Sequence, residues 1–314
     1  MGYSRRAAVA GLGALLASGR ALAQGPKVWL DMDQKALDDA YDQAVYAPNM
    51  QQIVGRYATN SEAVRARLGP PQRHTYGSNA IEALDVFTTR ASNAPIHVFI
   101  HGGAWRTGLA KNYCFAAEPF VIAGAHYVVP DFANVTETGG DLLPMAEQVR
   151  RAIAWVHQNA RSFGGDPARI HLSGHSSGAH LAGAALITDW NAFGAPPDVI
   201  KGALLCSGLY DLKPVRLSAR SNYVKFTDAV EDALSTQRHL TRISCPVVLA
   251  YGTKETPEFQ RQTRDFAAAL DKAGKPMQLL VADGYNHLEI IETMANPYGL
   301  IGRAALAQMK LVDA

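Results

Sequence analysis

Three groups of residues in this chain have the types and spacing that acyl transfer to water requires. The first is Gly174-His175-Ser176-Ser177-Gly178, where an apolar strand pattern (Arg169 to Leu172) runs into Gly-x-Ser-x-Gly and then into a helix of small residues. A serine on a tight strand-to-helix turn presents its hydroxyl to solvent, and flanking glycines let strand and helix close around a strained backbone. The amides that open the helix face the same point and can hold a developing oxyanion. The five-residue pattern is weak alone; the strand before it and the helix after it make Ser176 the expected nucleophile.

The second group is His101-Gly102-Gly103-Ala104-Trp105, directly after the strand pattern Ile96 to Ile100. Gly102 and Gly103 free the backbone to turn amides toward one point, as an oxyanion hole needs. Two of the Gly102, Gly103 and Ala104 amides, with that of Ser177, are the expected donors. The third group is Gly284-Tyr285-Asn286-His287, on the loop after the last strand pattern. A histidine that serves the serine as base must reach it from a loop, which points to His287. His175 and His180 sit on the serine's own turn and helix, where neither can aim an imidazole at Ser176. The acid should follow a late strand and precede the histidine. Glu255, three residues past the strand-end glycine Gly252, fits best, and Asp211, after the previous strand, is the rival. Asp283 is too near His287 in sequence to turn back on its ring. Trp105, Phe132, Tyr210 and Tyr285 all fall at strand ends; Trp105 and Tyr285 are the expected walls of a pocket for a small aryl or acyl group.

These groups need a scaffold that brings strand ends together. Near-continuous apolar runs recur at Ile96–Ile100, His126–Val129, Arg169–Leu172, Gly202–Leu205, Pro246–Tyr251 and Met277–Val281, with an alternating run at Ile81–Thr88. Such runs suit strands buried on both faces. Helical patterns over Leu142–Phe163, Ser177–Ile187 and Pro257–Ala273 separate them, and Asp33–Tyr46 and Met50–Arg67 precede them. Strand–helix alternation predicts an α/β fold, a mostly parallel central sheet with helices on both faces. In such a sheet, functional loops gather at the carboxyl ends of the strands. The irregular stretch 191–240 reads as a small cap or long loops.

The 314 residues suffice for a large core, and no internal repeat or low-complexity linker argues for a second domain, so 24–314 reads as one. Residues 1–23 read as an export signal: Ser4-Arg5-Arg6, a short apolar run Ala7–Ala17, and Ala21-Leu22-Ala23 before Gln24. The paired arginines favour the twin-arginine route and a periplasmic destination. The run is too short to span a bilayer. The formal charge is +2, but Arg5, Arg6 and Arg20 lie in the leader; without them 27 basic residues face 28 acidic ones, a charge of −1. No basic patch argues for nucleic acid, and the expected partner is a small molecule. Cys114, Cys206 and Cys245 make no disulfide framework, and no metal-ligand spacing appears, so neither metal nor organic cofactor is expected.

Together these residues resemble the α/β-hydrolase superfamily, and more closely the kynurenine formamidase (arylformamidase)-like carboxylesterases. The resemblance rests on His101-Gly-Gly-Ala-Trp105, Gly174-His-Ser-Ser-Gly-Ala-His-Leu181, Ser207-Gly-Leu-Tyr-Asp-Leu212, Thr256-Pro-Glu-Phe-Gln-Arg-Gln262 and Tyr285-Asn-His287, and covers roughly residues 33–295. It implies Ser176 as nucleophile, His287 as base, the carboxylate at Glu255 as acid and an oxyanion hole at the His101 loop. Two departures stand out: the acid position holds Glu where the family commonly has Asp, and the leader points out of the cytoplasm. The expected activity is hydrolysis of a small ester or amide, with N-formylkynurenine as the alternative substrate. A catalytically silent binding module is the alternative of another class; loss of a triad member marks that class, and Ser176 and His287 are both present.

Overall fold

Apolar runs bounded by glycine, proline and aspartate become strands, and the amphipathic stretches between them become helices that cover both sheet faces. The computed structural model describes residues 25–313. The leader, 1–23, lies outside them. Among the described residues eight strands form one sheet: β1 (Gln72–Thr75), β2 (Ala83–Phe87), β3 (Ala94–Ile100), β4 (His126–Pro130), β5 (Gly165–His175), β6 (Ile200–Cys206), β7 (Val247–Gly252) and β8 (Met277–Ala282). Their order is β1-β2-β4-β3-β5-β6-β7-β8. Strand β2 pairs antiparallel with β1 and β4, and every other pairing is parallel. The helices are α1 (Gln34–Asp39), α2 (Gln43–Tyr46), α3 (Met50–Leu68), α4 (Ala117–Ile122), α5 (Leu143–Asn159), α6 (Ser177–Leu186), α7 (Leu212–Leu217), α8 (Asp228–Leu234), α9 (Pro257–Lys272) and α10 (Leu300–Gln308). None of them is long and apolar enough to cross a membrane.

Strand alternation divides the core in two. On β6, Ala203 and Leu205 join one cluster with residues of α5, α6 and α9, whereas Leu204 and Cys206 join another with residues of α3 and α10. Residues pointing to opposite faces at every step are what period-two geometry demands of a sheet covered on both sides.

Three local differences from the sequence expectation have physical causes. The helix expected over Asp33–Tyr46 breaks, because the Asp42 side chain accepts the Ala44 amide and caps a new helix, α2. Strand β1 is almost wholly polar, so it carries no apolar alternation to read. Its Arg73 reaches Asp85 on β2 at 2.7 Å and Asp131, just past β4, at 2.6 Å. The 191–240 stretch holds β6 and short helical segments including α7 and α8, and it covers the strand ends only jointly with α1–α3.

Candidate active site

Strand β5 ends at His175 and α6 begins at Ser177, so Ser176 is the whole turn. Its backbone sits at φ 58°, ψ −126°, a left-handed φ that an L-residue adopts only under strain. The flanking glycines make that turn possible. A Cβ on Gly174 would lie 2.5 Å from the Gly178 carbonyl oxygen, and one on Gly178 would collide with the carbonyls of Ile100 and His101. The Ser176 amide is anchored to the Cys206 carbonyl on β6 at 2.9 Å.

The His101 loop leaves β3 beside this turn. Gly103, Ala104 and Trp105 have φ of 123°, 54° and 61°, three consecutive left-handed residues of which only the first is glycine. Helix α6 holds the loop in that shape: the Trp105 amide donates to Ser177 Oγ at 3.2 Å, and its indole Nε1 donates to His180 Nδ1 at 3.2 Å. A Cβ on Gly102 would sit 3.1 Å from Ser176 Cβ, so the loop backbone passes against the serine itself. Among the described residues, no turn or side-chain hydrogen bond uses the amides of Gly103, Ala104 or Ser177.

His287 approaches from the loop after β8. Its Nδ1 lies 2.8 Å from Glu255 Oε2, with both side chains buried. The other carboxylate oxygen accepts the Ser207 hydroxyl and the Gly252 amide, each at 2.6 Å. Glu255 precedes Thr256, whose hydroxyl caps α9, so the helix start and the β7 end together aim the carboxylate. An acceptor on Nδ1 fixes the proton there and leaves Nε2 as the acceptor nitrogen. That Nε2 is buried and without a hydrogen-bond partner among the described residues. The imidazole of His175 holds the loop from below, donating from Nε2 to the His287 carbonyl at 2.7 Å. Burial first, and the neighbouring His287 ring second, push His175 well below the usual imidazole range, so it stays neutral.

The rival acids lie elsewhere. Asp211 caps α7 by accepting the Lys213 amide at 3.1 Å and pairs with Arg238. Asp283 accepts the Thr253 hydroxyl at 3.0 Å.

A cavity of about 860 Å³ opens over Ser176 and His287 and is bordered by Gly103 and Ala104. Its aromatic wall differs from the sequence expectation. Trp105 packs behind the loop against His180, and Tyr285 faces outward, so neither ring lines the cavity. Tyr210 stacks on Phe266, and Phe132 on His101. The rings that do line it are Tyr41, Tyr57, Tyr113 and Tyr223. Two of them come from α3 and the α1–α2 turn, which fold over the strand ends from far away in sequence. Helical spacing marks them only as core candidates, so no local signal distinguishes them. Helix α3 also pins the histidine loop: the Tyr57 hydroxyl donates to the Leu288 carbonyl, and Arg56 pairs with Glu292 at 2.6 Å.

The family described as BD-FAE matches residues 84–194. A kynurenine formamidase from Danio rerio is 30% identical over 291 residues, covering 88% of this chain and 97% of the relative. A candidate thioesterase from Silicibacter superposes with a TM-score of 0.73 at 23% identity, covering 86% of this chain and 99% of its own. A thermophilic esterase from Thermogutta terrifontis superposes with a TM-score of 0.64 at 19% identity, covering 79% and 97%. Both structural likenesses show the same α/β-hydrolase fold.

Proposed function

The chain belongs to the kynurenine formamidase family of α/β-hydrolases, and on that premise we propose that it is a serine carboxylesterase or amidase acting through a Ser176 acyl-enzyme. The observation that carries this reading is the His287 ring. One nitrogen is committed to Glu255 and the other is buried without a partner among the described residues, beside the cavity that Ser176 lines. In the proposed reaction His287 Nε2 takes the Ser176 proton as the oxygen attacks the carbonyl of a small ester or amide. Glu255 holds the tautomer and stabilises the imidazolium. The amides of Ser177 and of the Gly102–Ala104 loop receive the oxyanion; losing one such donor typically costs about 3 kcal/mol. His287 then protonates the leaving group, and water repeats the sequence on the acyl-enzyme. The proposal calls on no metal or organic cofactor.

Arylformamidase action on N-formylkynurenine is the second reading. It is supported by the name of the Danio rerio relative and by the four tyrosines around the cavity, which suit an aryl group. The leader favours the first reading, because an exported enzyme meets substrates outside the cytoplasm. We propose that residues 1–23 direct that export, and N-terminal sequencing of the mature protein should then begin at Gln24.

A panel of p-nitrophenyl esters, aryl amides and N-formylkynurenine tests both readings. Turnover that disappears in Ser176→Ala supports the acyl-enzyme route, and the best substrate separates the two. Unchanged turnover in Ser176→Ala, or no labelling of Ser176 by a serine-reactive phosphonate, refutes it.

A further inference from the structure

Several arginines that are more exposed than Arg220 are met by carboxylates. Arg261 pairs with Glu258 at 2.6 Å, and half-buried Arg73 pairs with two aspartates. Arg220 is different. It lines the cavity over Ser176, is only 7% exposed, and forms no ion pair among the described residues. It sits on the short turn after α7, and its guanidinium donates to the Tyr223 hydroxyl at 2.8 Å and the Tyr41 carbonyl at 3.0 Å. A guanidinium has five N–H donors, and Nε is buried with no acceptor among the described residues. The rings of Trp105, Tyr41 and Phe259 surround it at 5.5, 5.9 and 6.0 Å. Aromatic faces orient a cation but do not neutralise it. A second arginine, Arg106, lies over the Tyr223 ring at 4.8 Å on the same cavity, exposed and also without an ion pair among the described residues.

A buried charge left unpaired is unfavourable, and a ligand that supplies the counter-charge regains that free energy on binding. A carboxylate matches the planar fork of arginine. The acids on the same wall do not serve. Asp38 accepts the Ala219 amide at 2.6 Å, Asp39 pairs with Lys35, and Asp42 caps α2. Their field opposes an anion at the rim, so a preference for anions has to come from direct contact deeper in.

We propose that Arg220, assisted by Arg106, anchors a carboxylate on the substrate, so that the preferred ester or amide carries an anionic group beyond its scissile carbonyl. This rests on the serine-hydrolase reading for its context, but its test can be separated from that reading.

Two matched pairs of esters probe the two sides of the scissile bond in the wild-type enzyme. Mono-p-nitrophenyl glutarate against p-nitrophenyl pentanoate places the charge on the acyl side. Acetoxybenzoate against its methyl ester places it on the leaving group. At least a fivefold higher kcat/KM for the anionic member of one pair is expected. Arg220→Met should then raise KM for that member at least tenfold more than for its neutral partner, with Arg220→Lys in between. A smaller preference in both pairs, or equal losses on neutral and anionic esters in Arg220→Met, overturns the proposal and leaves Arg220 a strut between Tyr41 and Trp105. The wild-type comparison decides the matter even if the variants do not fold. If the wild type hydrolyses none of the four esters, the esterase part of the reading is what has failed. Binding of glutarate and 4-hydroxybenzoate to the Ser176→Ala protein, measured by calorimetry with and without Arg220→Met, then decides the Arg220 proposal. Binding of either acid that weakens at least tenfold in the double variant supports it, and its absence overturns it.

Discussion

Glu255 occupies a position where the resembling family commonly has Asp, and the extra methylene is absorbed by how the carboxylate is held. One oxygen meets His287, and the other is fixed between the Ser207 hydroxyl and the Gly252 amide. A longer side chain held at both oxygens loses the freedom that would otherwise blur its aim. Asp211 spends its carboxylate on capping α7 and on Arg238. The two acids should therefore separate cleanly on substitution. Glu255→Ala should lower kcat by roughly three orders of magnitude or more, as loss of the residue that orients a catalytic imidazole does elsewhere. Asp211→Ala should remove a helix cap, lowering stability by about 1 kcal/mol with turnover nearly intact. Steady-state kinetics and thermal melts of both variants check this, and collapse of Asp211→Ala alone would falsify the assignment of Glu255. The order of strands made Glu255 the better candidate in the sequence; that Ser207 supports it was not legible, because 48 residues separate the two and nothing in Ser207-Gly208 marks a partner.

At the scale of elements, the β5–α6 turn works because strand and helix press against neighbours that leave no room for a side chain. Position 178 lies against the β3 end, where a Cβ would meet two carbonyl groups. Backbone cannot move aside as a flexible side chain can, so Gly178→Ala should destabilise by roughly 1–3 kcal/mol or more through overpacking. It should also displace the His101 loop, whose shape depends on α6 through Ser177 and His180. A lower melting temperature together with reduced phosphonate labelling of Ser176 is the expected result; a variant that melts and labels like the wild type would refute this account of the turn. The glycine pattern itself was visible in the sequence. The role of α3 was not. Its helical pattern marks an apolar stripe, but a stripe does not say which surface it meets. That it covers the Ser176 cavity with Tyr57 and clasps the histidine loop emerges only when the N-terminal helices pack over the strand ends.

For the molecule as a whole, several histidines are buried uncharged, and they tie stability to pH. Burial pushes His97 down to about 3, and His171 and His180 down to about 4, from an ordinary 6.5. The unfolded chain binds protons near pH 6.5 while the folded one does not. The stabilisation from neutral burial is thus complete above 6.5 and is lost as pH falls toward the folded values. Each group contributes roughly 1.4 kcal/mol per pH unit in that window. Three acting together predict a loss of roughly 3 kcal/mol between pH 6.5 and 5.5, since the unfolded imidazoles are only half protonated at the upper end, read as a falling denaturation midpoint. A midpoint that holds steady or rises over that range would contradict it. The sequence by itself determined the architecture and the motifs from which the proposed centre is built: strand runs, helix periods and the Ser176, His101 and His287 motifs are local patterns whose meaning follows from backbone geometry. It also narrowed the acid to two carboxylates. Only the tertiary structure decided which residues meet across long separations. It withdrew Trp105 and Tyr285 from the cavity wall and put Tyr41, Tyr57, Tyr113 and Tyr223 there. It put Arg220, an arginine with no ion pair among the described residues, on the wall of the cavity that Ser176 lines. The physical reason is that side-chain type and spacing constrain the local backbone, whereas the partner of a buried ring or charge is set by the packing of elements distant in sequence.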